Sequence, residues 1–301
     1  MKVLVTGGSG FLGKRLKISQ PNWEYISSKD FDLTNFNSCM DMLSQHKPDA
    51  VLHLAARVGG IKDNVENPAE FFYQNVSMNT NIVHACYQSK ISRLLACLST
   101  CIFPDKLENY PFHENDIFKG PPTESNFSYG YSKRALLVQI NAYRKQYGLN
   151  YSTFCPSNLY GPEDNFSNDK SHFVPAMIKK LVHAKEKDTV TFWGTGTPLR
   201  QQLYVDDLVQ FIPKLLQQHN TNVPIIISPD ENLSIAEMIN CCLSILDKNV
   251  NIQFNQELDG QYRKDGTSIE FKKLFPNSKF TSFADGLKKT IDWYLNYEKN
   301  V

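Results

Sequence analysis

The chain has 301 residues, 41% of them hydrophobic, and its 32 basic and 31 acidic side chains leave a net charge of +1. A chain of this size can bury a large core, as one domain or as two unequal ones. The balanced charge argues against a nucleic-acid partner, and no apolar run reaches the roughly 18 residues that span a bilayer, so we expect no membrane partner either.

The seven cysteines are odd in number and scattered, without C-x-x-C spacing. No histidines lie at zinc-like intervals from them, so we expect no metal site. A strand pattern starts at Lys2 and leaves no room for a secretion signal. Together these features predict reduced thiols and a cytoplasmic location.

The amino-terminal half alternates short apolar runs with helical patterns. Strands are predicted at Lys2–Thr6, Tyr25–Ile26, Ala50–Leu54 and Leu94–Ser99, and helices from Phe11 through Leu16, at Phe36–Gln45 and at Pro68–Gln88. Strands alternating with helices indicate a parallel sheet covered on both faces, which is an α/β, doubly wound fold.

After a proline-rich loop at 104–122, a helix is predicted at Tyr129–Tyr147 and a strand at Tyr151–Cys155. Beyond Gly161 the pattern loosens. A helix is expected at Val174–Ala184, a strand at Thr189–Trp193, a helix at Val205–Gln217 and a strand at Pro224–Ile227. We therefore expect residues 1–158 plus about 203–228 to form the first domain, and about 159–202 plus 229–301 a smaller, interleaved α/β lobe.

The first strand ends in a glycine turn, with Gly7, Gly10 and Gly13 before the first helix. Such glycines let the backbone turn tightly, approach a pyrophosphate and pack the helix on the strand. A plain strand-helix corner is the alternative, but the position at the first strand of an alternating chain favours a dinucleotide-binding Rossmann domain. Further along, Asp32 suits either a contact to the adenine edge or the N-cap of the next helix.

The choice between NAD and NADP depends on the end of the second strand, where the sequence is Ser27-Ser28-Lys29-Asp30. An acidic residue there would bind the ribose diol of NAD, and a basic one the 2′-phosphate of NADP. The two hydroxyls with Lys29 favour NADP, and Lys14 or Arg15 could add positive charge. Asp30 keeps the NAD alternative open.

Tyr129 and Lys133 lie four residues apart at the start of a predicted helix, so their side chains share one face. A nearby cation can lower the pKa of the phenol and make it a usable acid. Ser99 ends a strand, where open parallel sheets bind ligands, and its hydroxyl can hold a carbonyl oxygen. The combination of Ser99 with Tyr129 and Lys133 predicts hydride transfer at a carbonyl, although the Tyr-x-x-x-Lys pattern alone occurs often by chance.

Cys101 shares the strand face of Ser99 if the chain stays extended there, and a thiol at that place suggests proton transfer beside the carbonyl. His172 lies in a polar stretch of the second lobe. Taken alone, Cys101 could be a small buried hydrophobe and His172 a capping or surface residue. Spacing does not decide between these interpretations.

Longer strings through most of the chain resemble the extended short-chain dehydrogenase/reductases, and among them the 3,5-epimerase-4-reductases of nucleotide sugars. The matching segments are residues 53–61, 72–75, 99–104, 129–133, 158–165, 171–176, 193–200 and 204–207. The Val58-Gly-Gly-Ile61 and Ser99-x-Cys101-Ile-x-Pro104 strings are more specific than the glycine turn.

The resemblance implies C3 and C5 epimerisation and NADPH-dependent C4 reduction of GDP-4-keto-6-deoxymannose to GDP-L-fucose, in a homodimer paired through helices of the first lobe. It makes Ser99, Tyr129 and Lys133 the reductase triad, and Cys101 and His172 the epimerisation acid and base, in an order it leaves open. Implied cofactor contacts are Gly7, Gly10, Phe11, Leu12, Gly13, Lys29, Asp32, Leu54, Ala55, Ala56, Tyr129, Lys133, Asn158 and His172. Implied sugar-nucleotide contacts are Val58, Gly59, Asn158, Lys180, Trp193, Arg200 and Lys264.

Three departures from the family pattern concern charge, and one is that Ser27–Lys29 replace the family's Arg near the end of the second strand. Lys180 stands where the family usually has Arg, so a forked diphosphate contact becomes a point charge. Ser9 replaces the family's Arg in the glycine turn.

Among related reactions, a 4,6-dehydratase would show Asp-Glu where this chain has Cys101-Ile102, and a plain 4-epimerase has no evident use for both Cys101 and His172. A 4-reductase that does not epimerise, or that acts on another sugar nucleotide, remains the competitor. A catalytically silent nucleotide-binding scaffold would be expected to lack Tyr129 or Lys133, and both are present.

Overall fold

The computed structural model describes residues 1–167, 171–256 and 259–299. The strands are β1 (Val3–Thr6), β2 (Glu24–Ile26), β3 (Ala50–His53), β4 (Arg93–Cys97), β5 (Asn150–Pro156), β6 (Asn158–Tyr160), β7 (Thr189–Phe192), β8 (Leu199–Arg200), β9 (Gln202–Tyr204), β10 (Ile225–Ile227), β11 (Leu233–Ser234), β12 (Asn251–Phe254) and β13 (Arg263–Lys264). The helices are α1 (Phe11–Ser19), α2 (Phe36–His46), α3 (Ile61–Glu66), α4 (Pro68–Gln88), α5 (Phe127–Tyr147), α6 (Phe173–His183), α7 (Val205–Gln218), α8 (Ile235–Leu246), α9 (Ile269–Leu274) and α10 (Phe283–Lys299).

The predicted doubly wound sheet is confirmed. In the described residues it has six strands in the order β10-β5-β4-β3-β1-β2, and every pair is parallel. Successive side chains of β1 point to opposite faces, so Leu4 packs in one apolar cluster while Val3 and Val5 pack in another. Helices α2, α4 and α5 cover the first face, and α1, α7 and α9 cover the second.

A third apolar cluster forms away from this sheet, from α6, α8, α10 and the strands beside them. Strand β7 pairs in parallel with β12, β8 lies between β11 and β13, and β6 pairs with β9. Helix α7 returns to the main sheet through its contacts with α1, and β10 adds the edge strand beside β5. The chain therefore leaves the main sheet after β5 and comes back to it before leaving again.

A buried hydrogen-bond network connects the strands to the helices behind the cleft. His53 contacts Thr6 Oγ1 at 2.8 Å through Nδ1 and Asn79 Oδ1 at 3.0 Å through Nε2. Asn79 in turn donates to the carbonyl of Ser132 at 3.3 Å. Burial lowers the pKa of His53 to about 3, so the ring is neutral and supplies one donor and one acceptor. This network fixes α5 relative to the glycine turn.

One predicted strand ends early. The strand expected at Leu94–Ser99 stops at Cys97, and Thr100–Ile102 form a single 3₁₀ turn. Ser99 caps that turn, because its Oγ accepts the backbone N–H of Cys101 at 3.2 Å. The expectation that Cys101 lies on the strand face of Ser99 is therefore wrong, since a serine at this point favours capping over extension. The helix at Pro68–Gln88 is observed as predicted, and the other predicted boundaries shift by a few residues.

Candidate active site

A cleft of about 1660 Å³ opens at the carboxyl ends of the parallel strands. Most of the predicted cofactor residues line it: Gly7, Gly10, Phe11, Leu12, Gly13, Asp32, Leu54, Ala55, Ala56, Tyr129, Lys133, Asn158 and His172. Val58 and Ser99 line the same cleft. Ligands bind at this edge in open parallel sheets because the loops that follow the strands leave room there.

The glycine turn fits a dinucleotide because side chains are excluded from it. Gly7 has a φ of +75°, and a Cβ on it would lie 2.7 Å from the backbone nitrogen of Ala55. A Cβ on Gly13 would lie 2.4 Å from the carbonyl oxygen of Gly7, so α1 packs directly on the turn. Gly10 occupies the N-cap of α1, whose free N–H groups face the cleft as an anion site.

At the adenosine end, Lys14, Ser27 and Ser28 line the cleft. Lys29 is exposed and lies outside the lining, on a turn in which the Asp30 carboxylate accepts hydrogen bonds from Ser27 N at 2.7 Å and Ser27 Oγ at 2.8 Å. Of these two lysines, only Lys14 lines the cleft where the 2′-phosphate is expected. A role for Lys29 in binding the cofactor stays a prediction.

Two other charged side chains at this end have structural partners. Arg15 forms a two-pronged ion pair with Asp206 on α7, at 2.9 and 3.0 Å, so it is not the free cation that the sequence offered. Asp32 accepts hydrogen bonds from Thr34 N and Oγ1, at 2.9 and 2.7 Å, and lines the cleft. The N-cap of α2 is Asn35 rather than Asp32.

The loop between β3 and α3 is held rigidly. Asn75 accepts the N–H of Arg57 at 2.9 Å and donates to its carbonyl at 3.0 Å. Val58 is 53% exposed and faces the cleft, whereas Gly59 lies outside the lining, where a Cβ would come within 2.4 Å of Asp63 Oδ2. The hydrogen bonds of Asn75 therefore hold the backbone next to Val58 in place at the edge of the cleft.

The predicted reductase residues meet in the cleft. Lys133 is buried, its Nζ donates to the carbonyl of Cys97 at 2.9 Å, and it lies 5.9 Å from the centre of the Tyr129 ring. Burial raises the pKa of Tyr129 well above its ordinary value, against the opposing effect of a hydrogen bond with Ser99. The expected lowering of the phenol pKa is therefore outweighed by burial in this structure, and Tyr129 is protonated and able to donate.

Cys101 lies beside the reductase residues with two donors aimed at its sulfur. Lys264 Nζ lies 2.9 Å from Sγ and Asn126 Nδ2 lies 3.1 Å from it. Burial by itself would raise the pKa of the thiol, but Lys264, Ser99 and Arg200 outweigh it, so the pKa lies below its ordinary value. The site favours a thiolate at this position.

His172 precedes α6 at the N-cap position and faces the cleft from the second lobe. Burial against protein atoms and the charge of Lys264 lower the pKa of its imidazole. Lys264 influences both Cys101 and His172, so the two predicted proton-transfer groups lie near one cation. The chain thus brings together two groups that are 71 positions apart in sequence.

The remaining predicted sugar-nucleotide residues lie outside the lining of the main cleft. Arg200 donates to the carbonyl of Leu199 at 2.7 Å, and it is close enough to Cys101 to stabilise a negative charge there. Lys180 lines a neighbouring groove of about 700 Å³ and donates to the carbonyl of Thr191 at 2.7 Å. Trp193 follows β7 and is 56% exposed. Contacts of these three side chains with a sugar nucleotide stay predictions.

Sequence reasoning missed Asn126 and placed too little weight on Lys14. Asn126 precedes Tyr129 by three residues, one helical turn, and that spacing could have suggested a side chain near the phenol. Its contact with Cys101 depends on the 3₁₀ turn, which the sequence pattern did not predict.

Within the described ranges, no group of three or more His, Cys, Asp or Glu residues gathers where a metal ion could be held. No helix in the same ranges combines the length and apolar character that crossing a bilayer requires. None of the seven cysteines forms a disulfide, and all seven lie within the described ranges.

Comparison with known proteins gives consistent results. The NAD dependent epimerase/dehydratase family matches residues 3–228. GDP-L-fucose synthase of Dictyostelium discoideum is 36% identical over 98% of this chain and 96% of its own length. GDP-L-colitose synthase of Yersinia pseudotuberculosis is 30% identical over the full length of both chains. A crystal structure of a GDP-L-fucose synthetase from Naegleria fowleri bound to NADP superposes with a TM-score of 0.86 at 30% identity, covering 99% of this chain and 94% of that one.

Proposed function

The chain belongs to the NAD dependent epimerase/dehydratase family, and we propose that it epimerises C3 and C5 of GDP-4-keto-6-deoxy-D-mannose and reduces C4 with NADPH to give GDP-L-fucose. One observation supports this function most directly. A cysteine held as an acceptor by Lys264 lies next to a protonated tyrosine and a serine, which line the cleft together with a buried lysine, while the cysteine itself lies just outside the lining. Reduction alone needs the last three residues, and the thiolate adds proton transfer at carbon.

The cleft residues fit NADP(H). The cradle of Gly7 and Gly13 excludes side chains where a pyrophosphate approaches the backbone, and the N-terminus of α1 supplies donors to it. Lys14, Ser27 and Ser28 offer one cation and two hydroxyls for a 2′-phosphate. Lys133 and Tyr129 line the same cleft and would hold the nicotinamide ribose. When bound, NADPH supplies the hydride that C4 receives.

Epimerisation precedes reduction because the C4 ketone acidifies the protons on C3 and C5. Cys101 Sγ takes the proton from C3 or C5, and the electron pair of that carbon–hydrogen bond forms a double bond to C4. The C4 oxygen becomes an enolate and accepts hydrogen bonds from Ser99 and Tyr129. We assign the base to Cys101 because its pKa lies below its ordinary value next to Lys264. His172, from the other lobe, must carry a proton for this step; it gives that proton to the carbon on the opposite face, which inverts the centre and leaves a neutral imidazole.

Reduction then uses the same oxygen site. Tyr129 donates its phenolic proton to O4 as C4 gains hydride, and Ser99 holds the oxygen. The raised pKa of Tyr129 means that the phenol is fully protonated before the step. Lys133, fixed by the carbonyl of Cys97 at 2.9 Å, stabilises the phenolate that forms.

The two apolar clusters of the main sheet and the separate third cluster support a division into two lobes. Residues 1–158 with about 203–228 form the cofactor domain, and about 159–202 with 229–301 form the sugar-nucleotide lobe, except that α9 packs on the main sheet and so belongs with the cofactor domain. Two copies pair through α4 and α5, where Phe72, Val138 and Tyr147 are 45%, 53% and 41% exposed. Unpaired thiols fit a cytoplasmic enzyme.

The decisive experiment incubates the enzyme with GDP-4-keto-6-deoxymannose and NADPH in deuterated water and identifies the product by NMR. The fucose configuration with deuterium at C3 and C5 is expected. Reduction without deuterium would rule out the epimerase half and leave a simple 4-reductase. Turnover of a different 4-keto sugar nucleotide in preference to this one would place the chain with another member of the family, of which GDP-L-colitose synthase is one.

A further inference from the structure

We propose that Asn126 is a positioning residue for the epimerisation, acting as the second hydrogen-bond donor that keeps Cys101 in its thiolate form. This inference rests on the proposed function for its catalytic meaning. It concerns a residue outside the reductase triad and outside the proton-transfer pair, so it adds a new element to the site.

The first support is that the Asn126 side chain is not used where asparagine is usually used. Asn126 occupies the N-cap position of α5, yet its side chain makes no capping hydrogen bond to that helix. Asparagine is among the best N-cap residues because its oxygen accepts a free backbone N–H. Here the amide turns instead toward the 3₁₀ turn, and Nδ2 lies 3.1 Å from Cys101 Sγ.

The second support is the set of donors around the sulfur. An ammonium group has donors and no acceptor, so Cys101 Sγ must accept from Lys264 Nζ at 2.9 Å. The amide of Asn126 donates from a different element of the fold, at the start of α5. Neither group can accept an S–H proton, so a neutral thiol would have to turn its proton away from both donors, whereas a thiolate accepts from both.

The third support is that the oxygen of the Asn126 amide has no partner. Asn126 Oδ1 is buried and has no hydrogen-bond partner among the residues that the structure describes. An amide rotated to place its oxygen on a thiol S–H would free Nδ2 instead. The arrangement in the structure leaves an acceptor unsatisfied in order to place a donor on sulfur, and such a cost is offset most readily when the sulfur is charged.

The groups facing Cys101 from neighbouring elements set the background against which Asn126 acts. They are Lys264 on β13, Arg200 on β8, Tyr129 on α5 and Cys155 on β5. The two cations favour the thiolate, and burial together with the two neutral acids does not. Asn126 adds a donor without adding charge, so its removal leaves these charges in place.

The test measures the pH at which Cys101 becomes reactive. Full-length protein without sugar nucleotide is treated with iodoacetamide over a pH series, and mass spectrometry follows the peptide that contains Cys101. In Asn126→Leu, which has nearly the same shape but no donor, we expect the midpoint to rise by about one unit. In Asn126→Asp, which replaces the donor with a carboxylate, the midpoint rises further.

Ser125→Asp is the matched control, because it introduces the same charge one residue earlier without a contact to Cys101. We expect its midpoint to stay within a few tenths of a unit of the parent. Thermal melts and NADPH binding establish that each variant is folded, and Asn126→Leu remains informative if the carboxylate variant is unstable.

Midpoints in folded Asn126→Leu and Asn126→Asp equal to that of the parent would overturn the proposal. Alkylation needs no turnover, so this result is independent of whether GDP-4-keto-6-deoxymannose is the substrate. A shifted midpoint without turnover of that compound would instead retain the role of Asn126 and overturn the proposed function.

Discussion

Replacing Lys264 with methionine tests whether this lysine promotes proton removal from the sugar by keeping Cys101 in its thiolate form. The ammonium lies 2.9 Å from Cys101 Sγ and is only 9% exposed, so solvent screens the contact little. A hydrogen bond to a charged group contributes about 1.5–3 kcal/mol. Since 1.36 kcal/mol corresponds to one pKa unit, the pKa of Cys101 should rise by about one to two units.

The sign follows from which form the lysine favours. The pKa of Cys101 lies below its ordinary value because Lys264 is the main group that stabilises the thiolate against burial, and without it only Ser99 and Arg200 oppose burial. At a pH below both values the thiolate fraction falls by about 10- to 100-fold, and proton removal falls with it. Raising the pH restores the thiolate and should restore the rate.

The assay follows deuterium entering C3 and C5 of GDP-4-keto-6-deoxymannose in deuterated water, with NADP⁺ present so that no hydride is available. Exchange by Lys264→Met should be lower than in the parent near neutrality and approach it at high pH, while Lys264→Arg retains most of the rate. A loss of the same size at every pH would refute the reasoning, because it would mean that Lys264 acts on the sugar nucleotide and not on the thiolate.

Three further outcomes follow from the structure. Tyr129→Phe should slow C4 reduction by about 10²–10⁴-fold, measured as NADPH oxidation. Deuterium exchange, followed by NMR, should fall less because Ser99 still holds the enolate oxygen, and equal losses in both would contradict the role of Tyr129 as the proton donor in reduction. Lys14→Glu should raise KM for NADPH and leave KM for NADH nearly unchanged, whereas Lys29→Glu should change neither; the reverse ranking would return the 2′-phosphate to Lys29. Arg93→Met should lower the free energy of unfolding by about 3 kcal/mol, because the buried guanidinium donates to the carbonyls of Leu215 and His219 at the end of α7. Urea titration measures this change, and an unchanged midpoint would refute the expectation.

The sequence by itself determined the fold and the reductase chemistry. A buried strand and an amphipathic helix have different periods, so the sequence shows which element is which. Strands that alternate with helices then form a parallel sheet. Glycines at 7, 10 and 13 predict the nucleotide turn for a local reason, since a Cβ on Gly7 or Gly13 would clash with the backbone. Tyr129 and Lys133 share a helix face wherever that helix packs, because residues four apart always do so.

The tertiary structure decided which groups surround the sulfur and which cations remain free. Arg15 and Lys14 are neighbours in sequence, and only the position of Asp206 on α7 shows that Arg15 is engaged. Asn126 and Lys264 reach Cys101 from positions 25 and 163 residues away. No periodic pattern records such contacts, because they arise from a capped turn after β4 and from the return of the second lobe over the sheet.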